Sequence, residues 1–361
     1  MGMNRITLAL AAAALVAAAT PSAGEVTKSL RASLSGADLQ NFAVENLAGT
    51  MRITPGAGES VEVVATVHAR NQELADGVRV ERVAGPGGAA SLRVRYPSNV
   101  TTIRYRAPRD SDEISIGLGL SSSKYDYDGR RFRVATGQGD RVWADLEVRV
   151  PPRVSGALFR NLVGLIDAQR LDGTYAFDVG SADLHLQKLS GAVSLEGSSG
   201  DIRAFDIRGT WESRFSSGDC ELNGFEGDAF SWRSSSGDLR ARNLKAARVE
   251  IDTSSGDADL KDADVEEFRG ESSSGDLSLE ATSARLRNVR AHTSSGNVAL
   301  RLPPEASFDA TADQSSGDMR VDFSDGTSTH RHDKLIAYRR GTGGTTIRLE
   351  TSSGDVSIEP R

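Results

Sequence analysis

A single cysteine, Cys220, stands among 361 residues, so the chain can form no internal disulfide. Aromatic residues make up 6% and hydrophobic residues 38%. So little apolar material argues against a thick globular core and fits a narrow, elongated one. Apart from Ile6 to Ala19, no stretch is apolar enough to suggest a membrane helix, and that run falls short of the roughly 20 residues a span requires. Enzyme signatures are also missing. There is no Gly-x-Ser-x-Gly elbow, no His-Glu-x-x-His and no phosphate loop. Net charge is −7, and removal of Arg5 with a leader would bring it to about −8, which disfavours nucleic acid as a partner.

What the chain does have begins with its leader. Met1-Gly2-Met3-Asn4-Arg5 precedes the apolar run, and Thr20-Pro21-Ser22-Ala23-Gly24 follows it. A basic start, a short apolar stretch and small residues describe a secretory signal peptide over residues 1–23, cleaved after Ala23 or Ala19. No cysteine follows to carry a lipid, so the product is expected to be exported, periplasmic or extracellular, with no transmembrane segment in the mature chain.

The dominant feature is Ser-Ser-Gly-Asp, or its Asn variant, which occurs eight times. The corner pairs are Gly200-Asp201, Gly218-Asp219, Gly237-Asp238, Gly256-Asp257, Gly275-Asp276, Gly296-Asn297, Gly317-Asp318 and Gly354-Asp355. Successive glycines are 18, 19, 19, 19, 21, 21 and 37 residues apart. A period near 20 marks a stacked, quasi-one-dimensional fold. The flanks say what stacks. Two residues after each glycine stand Ile202, Cys220, Leu239, Ala258, Leu277, Val298, Met319 and Val356, all apolar. Two further on stand Ala204, Leu222, Ala241, Leu260, Leu279, Leu300, Val321 and Ile358. The residues between are nearly all polar, so each run reads as a strand with one buried face. A second, looser strand precedes each Ser-Ser, with Val193, Trp211, Phe230, Val249, Phe268 and Val289 inward.

The same register fits Ala182 and Gly164 as degenerate corners. It recurs far upstream in Phe42, Val44, Gly49, Met51 and Ile53. The fold class expected is all-β, a parallel right-handed β-solenoid of about ten rungs over residues 151–361, roughly 48 Å long at about 4.8 Å per rung. Residues 24–150 read as an irregular β-rich part, with a long exposed loop at 106–140. A second insertion falls at about 322–345.

The corner tetrapeptide has a local explanation. Glycine takes positive φ at sharp turns, serine bonds nearby backbone, and aspartate caps the N–H groups that follow. Stacked carboxylates about 4.8 Å apart would repel by roughly 1 kcal/mol per neighbouring pair even in water. Backbone N–H and serine hydroxyl bonds, side chains fanning into solvent, or a cation such as calcium would offset that. Structural capping is the simpler account, so no metal, cofactor or catalytic residue is assigned. Cys220 occupies an inward slot and reads as a small buried hydrophobe. His330, His332 and Asp333 lie close in sequence, but Arg331, Lys334, Arg339 and Arg340 disfavour a cation there.

These Ser-Gly-Asp-apolar-x-apolar repeats resemble the bacterial putative-adhesin family of β-strand-repeat proteins. Phe42 to Ile53 and Asp145 to Pro151 look like that family's strands ahead of the repeats, and the resemblance covers residues 40–361. It implies a non-enzymatic scaffold or binding protein that meets a cell-envelope glycan or protein, and it transfers no catalytic residue. The alternative is a polysaccharide lyase or hydrolase built on a β-helix, which a groove of convergent charged side chains would favour.

Overall fold

The computed structural model describes residues 25–105, 122–152, 154 and 156–361. The expected leader, and residues 106–121 of the expected loop, lie outside the described residues. The rest is mostly strand, with one six-residue α-helix, Gln72–Gly77, and two short 3-10 helices, Gly36–Gln40 and Pro86–Gly88.

One turn of the repeat shows how the sequence builds the whole. Strand Cys220–Ser234 runs to the corner at 235–238, and strand Leu239–Thr253 then stacks on it, parallel and in register. Cys220 faces Leu239, Leu222 faces Ala241, and Phe230 faces Val249. Each apolar position therefore packs on its equivalent above and below, and all six are buried. Each such side chain contributes roughly 1.5–3 kcal/mol on burial, less for alanine. A second corner bends the strand midway. Asp206, Asn243 and Asp262 have φ of 56°, 53° and 51°, and Gly224 has 85°. Asp and Asn tolerate this left-handed region better than most residues.

The upstream copy of the pattern joins the same stack. Strand Phe42–Pro55 pairs in parallel with Ala157–Gln169, Gly49 opposite Gly164 and Met51 opposite Ile166. Ala90–Arg95 and Val142–Val150 stack on its two halves. Antiparallel Ser60–Ala69 and then Val26–Ser35 follow on that side.

The expected loop at 106–140 needs correction over its described part. Ser123–Tyr127 and Arg130–Ala135 form an antiparallel hairpin, extended by Thr102–Arg104 into a three-stranded sheet. Asp128 and Gly129 both have positive φ, 51° and 69°. That is the Asp-Gly turn whose twist suits a two-residue hairpin. Tyr127 and Phe132 are buried edge to face, with centroids 6.3 Å apart. Arg93 and Arg95 both bond Asp128, tying the turn to the stack.

The last rung also departs from expectation. Thr345–Thr351 pairs with Asn288–Thr293 on one side and Phe308–Gln314 on the other. Val356–Pro360 likewise lies between Val298–Leu302 and Met319–Val321. The Gly354 rung therefore sits between the Gly296 and Gly317 rungs, and stacking order is not chain order. The residues between are not a simple insertion. Gly326–Arg331 and Lys334–Arg340 form a hairpin whose second strand pairs antiparallel with Phe308–Gln314. The C-terminal tail belongs to an internal rung, with Arg361 bonded to Glu280 at 2.7 Å and to Asp262. The hairpin lies against the outer rung.

Candidate functional site: the corner ladder and the charged faces

The corners form a continuous hydrogen-bonded column. The Asp201 N–H donates to Asp183 Oδ1 at 2.9 Å, and Asp219, Asp238, Asp257 and Asp276 repeat the bond down the stack at 2.8–3.0 Å. Asn297 N–H donates to Asp276, Asp355 N–H to Asn297 Oδ1, and Asp318 N–H to Asp355. The column thus follows the crossed order of the last rungs. Every carboxylate of the column except the last, Asp318, accepts a backbone N–H from the next rung, which offsets the repulsion between neighbours. Asp145 does the same for Thr50 N–H at 2.7 Å.

Glycine at the corner has a different cause from the one expected. Gly200 and Gly218 do take positive φ, 126° and 107°. Gly237, Gly256, Gly275, Gly296, Gly317 and Gly354 are outside that region. What they share is close approach. A Cβ on Gly256 would lie 2.0 Å from the Gly237 carbonyl oxygen, and one on Gly237 1.8 Å from that of Gly218. The carbonyl of the neighbouring rung occupies the side-chain position.

A third element of the corner escaped sequence reading. Three residues before the glycine, Ser234, Thr253, Ser272, Thr293 and Thr351 point inward, and each hydroxyl accepts the glycine N–H at 2.8–3.0 Å. Their recurrence at one offset was the available signal. At the equivalent position Phe215 packs an aromatic ring on Trp232 instead, with centroids 6.1 Å apart.

Asp183, at one end of the column, is nearly buried. Burial raises its carboxyl to about 6; the Asp201 N–H opposes the shift and the Asp201 carboxylate adds to it. Burial also pushes the Cys220 thiol far above its usual range, which makes it a poor nucleophile. Beyond Asp183, on the same side of the stack, His68 bridges two carboxylates, Nδ1 to Glu25 at 2.8 Å and Nε2 to Asp145 at 3.0 Å, and stacks on Trp143. Burial opposes its charge, but Asp145 and then Glu25 outweigh burial and raise its pKa.

The described residues contain no group of three His, Cys, Asp or Glu side chains placed to hold a metal ion. His330 and His332 are exposed on the hairpin. Arg203, Arg240 and Arg320 share one outward position without forming a stripe. Arg240 instead lies on the ladder, 2.9 Å from Asp238 and 3.7 Å from Asp219. A cleft of about 710 Å³ follows the second corner, lined by Lys188, Asp206, Arg208, Glu226, Asn243 and Lys245. Lys245 and Glu226 pair across rungs at 2.8 Å.

Residues 182–359 match the Toastrack DUF4097 family. The Toastrack stretch begins at the degenerate Ala182 corner and takes in all eight Ser-Ser-Gly-Asp or Asn corners. It is shorter than the 40–361 over which the sequence resemblance was expected. No curated protein matches the chain by sequence. Several solved structures align at low identity. A putative lipid binding protein from Parabacteroides distasonis is 11% identical, with a TM-score of 0.39, over 92% of this chain and 96% of that one. A putative adhesin from the same organism is 12% identical, with a TM-score of 0.38, over 92% and 97%. A putative adhesin from Bacteroides fragilis is 10% identical, with a TM-score of 0.34, over 92% and 97%.

Proposed function

We propose that this chain is an exported, non-enzymatic binding scaffold, a right-handed coil of about ten rungs that presents charged faces to cell-envelope glycans or proteins. The observation carrying this reading is that the repeated corner carboxylates and the inward hydroxyls are engaged with backbone N–H groups. The ladder carboxylates, Asp318 excepted, hold a backbone N–H of the next rung, and the inward hydroxyls hold the glycine N–H groups. The paired residues Gly200-Asp201 through Gly354-Asp355 are, on this reading, a structural turn ladder and not eight copies of a ligand site. Binding is left to the outward side chains between corners, which vary from rung to rung.

A pull-down from native envelope with the immobilised mature protein tests this. Salt-sensitive retention of a glycan or protein supports the reading, and failure to retain any envelope component counts against it. The cleft at the second corner, with Lys188, Arg208 and Lys245 beside Asp206 and Glu226, favours a polysaccharide-cleaving alternative. Release of reducing ends from a panel of acidic glycans, abolished by Lys245→Ala, would establish that alternative.

A further inference from the structure

Many outward charges pair with the opposite sign on an adjacent rung. Arg248 pairs with Glu267 at 3.3 Å, Lys245 with Glu226, and Arg233 with Glu250 at 3.4 Å. Like charges also face each other in places, as at Arg214 and Arg233, but one column sets three arginines in succession. Arg269 faces Arg290 in register, and Arg290 faces Arg348. All three are exposed. Adjacent strands are about 4.8 Å apart, so neighbouring cations repel by roughly 1 kcal/mol even in water. Arg269 is compensated by Glu271 at 2.6 Å. Arg290 and Arg348 make no ion pair with a described residue.

The crossed order of the last rungs creates this column. In chain order the position reads Arg269, Arg290, Thr311, Arg348. Because the Gly354 rung lies inside the Gly317 rung, Arg348 comes to stand beside Arg290 and Thr311 moves outside it. Two adjoining clefts, of about 320 and 280 Å³, share Arg269 and Arg290, and the second also includes Arg348.

We infer that Arg269, Arg290 and Arg348 form a binding track for an acidic polysaccharide whose carboxylates recur along the rod axis. Guanidinium groups bind carboxylates through two parallel N–H bonds, and a fixed rung spacing suits a ligand with regularly spaced anions. A nucleic acid strand fits less well. No exposed Phe, Tyr or Trp ring lines either cleft to stack a base, and the chain as a whole is acidic. The inference rests on the binding-scaffold reading and names a ligand class for it.

Calorimetric titration of the mature protein with polygalacturonate tests it, with neutral dextran and oligothymidylate as comparison ligands. Arg290→Gln/Arg348→Gln is expected to weaken polygalacturonate binding about tenfold or more, since each substitution removes a charge-assisted contact. Arg31→Gln/Arg242→Gln, which makes the same charge change on exposed residues elsewhere, should bind as the parent does. Equal affinity of the two double variants overturns the inference, as does tighter binding of oligothymidylate than of polygalacturonate. If the parent ignores polygalacturonate but still retains envelope material, the acidic-glycan track is wrong and the broader scaffold reading stands. If it retains neither, both fall.

Discussion

At Gly256 the neighbouring rung's carbonyl oxygen lies where a methyl group would go, 2.0 Å from the ideal Cβ position. Neither backbone can yield without breaking the ladder bonds on both sides. Gly256→Ala is therefore expected to cost more than about 3 kcal/mol, in the range of severe core substitutions. Chemical denaturation measures this; a loss below about 1 kcal/mol would mean the rungs can separate locally. Asp183 gives a prediction with a sign. Its folded carboxyl is raised to about 6, so the stability it supports is present below the unfolded value and is lost as pH rises through 6. Asn297 already holds the same bond elsewhere in the column with an uncharged oxygen, so Asp183→Asn keeps the acceptor. The variant should be roughly 1–3 kcal/mol more stable at pH 7, and the gap should close toward pH 4. A variant less stable than the parent at pH 7 would place a favourable charge interaction at Asp183 that outweighs its burial.

Among elements, the repeated strands were legible because their apolar alternation has a single period and register. The upstream copy at Phe42–Pro55 was legible for the same reason. The hairpin at 123–135 was hidden by composition. Ser121, Ser122 and Ser123 with the charges around them read as loop, although Asp128-Gly129 between Tyr125, Tyr127 and Phe132 was a hairpin signal. The crossed last rung was not legible at all. Strand pairing in a stack depends on which edge is free when the strand arrives, and the residues at 345–360 are as regular as any other rung. This order has a direct consequence. Ala299 faces Ser357, whereas Arg320 lies on the far side of that rung, facing Ser357 from the opposite edge. Ala299→Cys/Ser357→Cys should form a disulfide on mild oxidation, because in-register strands fall within disulfide reach. Ala299→Cys/Arg320→Cys, about two strand spacings or roughly 9.6 Å apart, should not. The reverse result would restore stacking in chain order.

For the whole molecule, the glycine and aspartate that make the repeat conspicuous are turned toward neighbouring rungs. Glycine is there for close approach and aspartate for the next rung, while the less conspicuous hydroxyls three residues before the glycine hold the corner N–H groups. Regularity in this sequence therefore reports on architecture. The candidate binding features lie where the pattern varies, and one of them, the arginine column, exists only because stacking order departs from chain order. No motif search along the sequence would find it, since its third member is 58 residues beyond the second. The central claim is that the corner ladder builds the rod and the faces do the binding. The most direct test is envelope retention by Asp219→Asn/Asp238→Asn, which neutralises two ladder carboxylates but keeps both acceptor oxygens, with melting temperature measured on the same sample. The account predicts retention equal to the parent and a melting temperature that is unchanged or slightly raised. Loss of retention at an unchanged melting temperature would show that the ladder itself is the binding site.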